Sequence, residues 1–120
     1  MLEAETDALR EELTQWRNVA TSVITEIELA RTVGRVRASG GATADDIGVW
    51  AITAAASEVE LTPEIRRAAA ELAPAGLKAL DAIHVASALS LGDELAAILT
   101  YDRQMQNAAT AQGIAVLAPA

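Results

Sequence analysis

Apolar positions in this chain recur first with helical spacing, then in short unbroken runs, and the two patterns alternate. Residues 3–17 carry acids in their opening turns, as the positive end of a helix dipole prefers, and predict a helix. Residues 18–21 read as a brief strand. From Ser22 a second helix sets Ile24, Ile27, Ala30 and Val33 on an apolar arc and stops at Ser39-Gly40-Gly41. Thr43 with Asp46 has the form of a capping box, opening a helix through Ala56.

Residues 59–61 read as a strand, and Thr62-Pro63 is a strong start signal for a helix over 64–72. Ala73-Pro74-Ala75-Gly76 breaks that helix before the next, over 77–91. The clearest strand is 96–101, an apolar run between Gly92-Asp93 and Asp102. Such runs suit strands buried on both faces of a parallel sheet. A helix over 103–112 and a strand over 114–117 finish the chain. The alternation predicts one domain over residues 1–120, an α/β fold of three layers with a mostly parallel central sheet flanked by helices.

Composition narrows this picture. With 120 residues, 52% of them hydrophobic, the chain can bury a core. Phe is absent and aromatics are only 2%, so that core is built from Ala, Leu, Ile and Val. Cysteine is absent, which excludes disulfides, zinc–thiolate sites and a Cys nucleophile. No apolar run approaches the roughly 20 residues of a membrane span, and the acidic opening is unlike a signal peptide. No membrane association and a cytoplasmic location are expected. The net charge of −8 is the wrong sign for gripping nucleic acid through Lys and Arg alone. It suits a bound cation or a basic protein partner.

Candidate chemistry centres on two aspartates. Asp81, in Leu80-Asp81-Ala82-Ile83-His84-Val85-Ala86-Ser87-Ala88-Leu89, opens an apolar helix; Asp102, in Leu99-Thr100-Tyr101-Asp102-Arg103, ends an apolar strand. Strand–helix folds gather such termini at one sheet edge, where carboxylates can share a hard cation. Each also has an ordinary explanation. Asp81 is a favourable first-turn charge, in a helix whose Leu80, Ile83 and Ala86 mark it as largely buried. Asp102 is a preferred N-cap, able to accept from the backbone of Gln104 or Met105. Glu28 falls on a polar flank with Arg31 and Arg35, where an exposed ion pair is the default, and Glu26 projects nearer the apolar arc. His84, the single histidine, suits packing more than catalysis. Ser22 and Ser87 lack an evident base and acid around them, and no Walker A, GxGxxG, HExxH or GxSxG pattern occurs.

Three segments carry a resemblance: Leu80 to Ala88, Leu99-Thr100-Tyr101-Asp102-Arg103, and Gly113-Ile114-Ala115-Val116-Leu117-Ala118-Pro119. Together they look like the C-terminal half of PIN-domain toxins of the VapC type. Upstream, Ser22-Val23-Ile24-Thr25-Glu26-Ile27-Glu28-Leu29-Ala30-Arg31 is similar to that family's first acid-bearing helix, with Glu28 at the acid position. The likeness implies a ribonuclease dependent on Mg²⁺ or Mn²⁺, the toxin of a type II toxin–antitoxin pair. It implies RNA as substrate, a VapB-like antitoxin as partner, and a homodimer. Asp81 and Asp102 would be metal ligands and catalytic residues, Glu28 would bind metal directly or through water, and Thr100 would support a neighbouring group.

The resemblance begins after the family's usual opening, a strand ending in Asp and a small hydroxyl residue. Met1-Leu2-Glu3-Ala4-Glu5-Thr6-Asp7-Ala8-Leu9 looks like the segment just beyond it, and neither Glu3 nor Asp7 holds the missing acid's place. The expectation is therefore a PIN-like domain that is incomplete at its N-terminus. Two other readings stay open. One is a PIN-like module that binds a basic antitoxin without doing chemistry. The other is a structural α/β domain whose acids are caps and surface ion pairs.

Overall fold

In the computed structural model, which describes residues 3–22, 24–38, 40 and 56–120, helices alternate with short strands. Helix α1 spans Glu3–Gln15, strand β1 Ala20–Ser22 and helix α2 Ile24–Ala38. Then come β2 (Ser57–Val59), α3 (Pro63–Glu71), α4 (Ala79–Leu89), a 3₁₀ turn at Gly92–Glu94, β3 (Ile98–Leu99), α5 (Arg103–Ala111) and β4 (Val116–Leu117). The helix expected from the Thr43–Asp46 capping box lies outside the described residues. The chain divides into two compact units, Met1–Glu58 with Pro119–Ala120, and Val59–Ala118.

In the first unit β1 pairs with β2, and the Ser57 amide donates to the Val19 carbonyl at 2.9 Å. Leu9 on α1 and Ser22 at the end of β1 are buried. The apolar arc expected on α2 does not hold throughout, because Ile27 is 59% exposed. The cause is geometric. Positions spaced by three drift about 60° per step around a helix, so Ile24 to Val33 sweep about 180°, wider than one neighbour covers.

The second unit is more fully determined. Helix α3 starts where Thr62 and Pro63 predict: the Thr62 hydroxyl accepts from the Ile65 amide at 3.2 Å, Pro63 stands at the first position and Glu64 follows. Its core gathers Val85 from α4, Ala108 and Ala109 from α5, and Ile114 just beyond, with Leu89, Leu95, Ile98 and Met105 packed around them. Two alanines at the centre let α5 approach closely, as a chain without Phe requires. On α4 the buried residues are Ala82, Val85, Ala86 and Ser87. Leu80, expected to mark the buried face, is instead 48% exposed. It lies about 200° around the helix from Ala82, on the far side.

Helix α5 ends in a Schellman motif. The Ile114 amide donates to the Ala109 carbonyl at 3.0 Å and the Gly113 amide to the Thr110 carbonyl at 2.9 Å. Gly113 takes the left-handed φ of 78° that this closure needs, and Ile114 drops into the core. The chain then runs into β4, which pairs parallel with β3 in the register Ile98 with Val116 and Leu99 with Leu117. Amides of Ile98 and Thr100 donate to Ala115 and Leu117 carbonyls at 2.9 and 3.1 Å. The strand expected over 96–101 is therefore shorter. Gly113 and Ile114 are committed to the helix cap and have no ladder to offer the earlier part of the run, and beyond Thr100 the chain turns to cap α5.

Candidate metal site

Asp81 is the third residue of α4, in its first turn, half-buried and not without a partner. The residue before the helix, Lys78, accepts the first helical hydrogen bond at its carbonyl, from the Ala82 amide at 2.9 Å. The helix therefore begins two residues later than the 77–91 expected, because Lys78 is still extended, with φ −65° and ψ 149°.

Asp102 is exposed and caps α5, with Oδ1 accepting from the Met105 amide at 3.0 Å. The N-cap reading of this residue is borne out. It does not exhaust the carboxylate, since an ionised Asp offers about four lone-pair directions over two oxygens. The local chain is clamped further. The Thr100 hydroxyl accepts from the Asp102 amide at 3.1 Å, and the Thr100 carbonyl accepts from Gln106 Nε2 at 2.9 Å. Thr100 thus holds the Asp102 backbone through its hydroxyl and the Gln106 side chain through its carbonyl. Gln106 had escaped notice, although its place four residues after a cap is where a side chain reaches back over the first turn.

Chain direction relates these two acids. A shallow cleft of about 220 Å³ is lined by Leu89 at the end of α4, by Leu95 and Ala96 ahead of β3, and by Gln112 to Ala115 ahead of β4. Helix α4 runs toward that cleft and β3 runs away from it. Asp81, at the start of α4, and Asp102, beyond the end of β3, therefore both belong to the opposite end of this unit.

Glu28 and Glu26 both fall within α2, in the first unit, and their side chains lie outside the described residues. Among the described residues, no three His, Cys, Asp or Glu side chains gather as a metal-binding group. His84 is half-buried one turn after Asp81 and is not without a partner. Ser87 is 2% exposed, and its hydroxyl has no hydrogen-bond partner among the described residues. A group so enclosed cannot meet a substrate, so Ser87 is no nucleophile. None of the described helices is long and apolar enough to cross a membrane.

Comparison with known proteins bears on what this arrangement belongs to. Ribonuclease VapC35 of Mycobacterium tuberculosis is 37% identical over 123 residues, covering 98% of this chain and 87% of the relative. Ribonuclease VapC46 of the same organism is 34% identical, covering 98% and 86%. Ribonuclease VapC47, also from that organism, is 31% identical over the same shares. No solved structure gives a significant match. The PIN domain model matches residues 2–111, a stretch that includes Glu28, Asp81, Thr100 and Asp102. An α/β chain matched over that length, with one strand of a parallel pair leading into its acid-capped helix, belongs to the PIN domain family.

Proposed function

We propose that this protein is a metal-dependent ribonuclease, the toxin of a type II toxin–antitoxin pair. Asp81 and Asp102 are ligands of a Mg²⁺ or Mn²⁺ ion, and Glu28 holds it directly or through water. The observation that carries this reading is near-full-length likeness to proteins named as ribonucleases, in a chain that belongs to their domain family. The donor chemistry fits: the set is all carboxylate, which is what hard divalent cations prefer, and the chain has no cysteine to favour a softer metal. RNA is the substrate, a VapB-like antitoxin and a second copy of the chain are the partners, and the cytoplasm is the place of action.

The protein's own residues would divide the work as follows. Asp102 is oriented before any ligand arrives, because capping fixes Oδ1 and the Thr100 hydroxyl fixes its backbone. Asp81 stands on a helix whose buried face is anchored in the core by Val85, which holds its backbone in place. Preorganised acids of this kind repel a bare phosphate and accept one only with a cation between them. When bound, the divalent ion supplies an activated water and neutralises charge on the phosphate.

Incubation of the whole chain with labelled single-stranded RNA and Mn²⁺ tests this. Cleavage that stops in EDTA is expected. Calorimetric binding of a basic antitoxin peptide by a chain that leaves RNA intact would replace this proposal with the binding-module reading.

A further inference from the structure

Gln106 meets the segment around Asp102 twice. Its amide donates to the Asp102 carbonyl at 2.9 Å, as the first turn of any helix does, and its Nε2 donates to the Thr100 carbonyl at 2.9 Å. Only the second bond depends on the side chain. Gln104 and Asn107 on the same helix are exposed, whereas Gln106 is half-buried.

The carbonyl it reaches is one that the sheet cannot satisfy. Strands β3 and β4 pair Ile98 with Val116 and Leu99 with Leu117, and the Thr100 amide donates to the Leu117 carbonyl at 3.1 Å. Continuing that parallel register, the donor to the Thr100 carbonyl would be the amide of residue 119. Residue 119 is Pro, which has no N–H, so the ladder ends there. Water could serve such a carbonyl at the rim of a sheet. A long side chain held in one rotamer costs conformational freedom instead, and what it adds is rigidity. With Gln106 in place the amide, hydroxyl and carbonyl of Thr100 are all engaged, and the hydroxyl in turn accepts from the Asp102 amide at 3.1 Å. Capping occupies Oδ1 of Asp102, so the aim of Oδ2 follows from how this backbone is held.

We infer that Gln106 is a positioning residue for Asp102, acting through Thr100. This rests on the reading of Asp102 as a metal ligand and names the side chain that aims it. Partners of this kind, one shell out from an ion, fix ligand orientation and so set metal affinity.

Calorimetric titration of the whole chain with Mn²⁺, without RNA, tests the inference apart from cleavage. Gln106→Met keeps length and helix propensity but loses the donor, and is expected to weaken Mn²⁺ binding about tenfold. Gln106→Asn keeps the amide, is one methylene short of the carbonyl, and falls as far. Gln104→Met, at an exposed position of the same helix, keeps the parental affinity. Cooperative melting in EDTA verifies that each variant is folded. With RNA and saturating Mn²⁺, Gln106→Met lowers kcat and leaves KM within about twofold, since the ligand rather than the substrate contact is disturbed. In an Asp102→Asn background the same change costs cleavage nothing further, because its effect runs through the carboxylate.

Parental Mn²⁺ affinity in Gln106→Met overturns the inference, as does an equal further loss of cleavage in the Asp102→Asn background or a parent that binds no Mn²⁺. A parent that cleaves RNA with a Mn²⁺ affinity indifferent to Gln106 keeps the ribonuclease reading and removes this one. A Gln106-dependent affinity in a chain that cleaves no RNA does the reverse.

Discussion

Replacing Asp102 by Asn and by Ala separates the two jobs assigned to this one carboxylate. Its Oδ1 caps α5 through the 3.0 Å bond from Met105. Asn carries an equivalent acceptor and ranks beside Asp as an N-cap, whereas Ala carries none. Losing the cap costs about 1 kcal/mol, with the low end favoured because the site is exposed. In a domain of this size that lowers Tm by about 3–6 °C. The bond from the Asp102 amide to Thr100 is a backbone contact and survives both changes. Asp102→Asn should thus melt within about 1 °C of the parent, and Asp102→Ala several degrees lower. Catalysis sorts differently. If the ion's charge contributes about 3 kcal/mol to the transition state, either variant falls about a hundredfold in RNA cleavage. Thermal melts by circular dichroism beside initial cleavage rates measure both. An Asn variant that cleaves at the parental rate would show that Asp102 is a cap and nothing more. An Asn variant that melts as low as Ala would show that the Met105 bond does not hold the helix start.

Other variants probe separate links. Val85→Ala removes two methyl groups at a position with no exposure, and transfer plus cavity terms cost about 2–3 kcal/mol; urea unfolding measures this, and a loss under about 1 kcal/mol would mean the core collapses around the gap. Thr100→Val deletes the acceptor that holds the Asp102 amide, and should reduce cleavage about 10–100-fold while costing little in Tm, as supports of metal ligands typically do; full activity would contradict the supporting role. Ser87→Ala removes a buried hydroxyl without a partner among the described residues and should be neutral or stabilising by up to about 1 kcal/mol in the same unfolding assay, against a marked loss if the hydroxyl is satisfied. Mn²⁺ at about tenfold above its dissociation constant adds about 1.4 kcal/mol by mass action and should raise Tm by about 5 °C, a shift that Asp81→Asn abolishes.

How far the sequence disclosed this protein depends on how local each signal is. Thr62-Pro63-Glu64 placed the start of α3, and Gly113 placed the end of α5, because caps and left-handed turns are set by a few adjacent residues. Asp102 was legible as a cap for the same reason. Strand lengths were not. The run 96–101 shrinks to Ile98–Leu99 because its ladder depends on β4, whose approach is consumed by the cap around Gly113 and Ile114. Exposure of Leu80 and Ile27 was misread where residues spaced by three were treated as one face. The choice of acids proposed as ligands rests on motif likeness alone. Periodicity favoured Glu26 over Glu28, and capping alone explained Asp102. Chemistry shared by distant segments leaves no local trace.

The most direct test compares RNA cleavage in Mn²⁺ by the whole chain and by Glu28→Gln, Asp81→Asn, Asp102→Asn and Glu26→Gln, each checked for parental folding. Loss of cleavage in the first three, with Glu26→Gln near the parental rate, is the predicted result. Parental cleavage after Asp81→Asn or Asp102→Asn would contradict the assignment of these carboxylates to one ion.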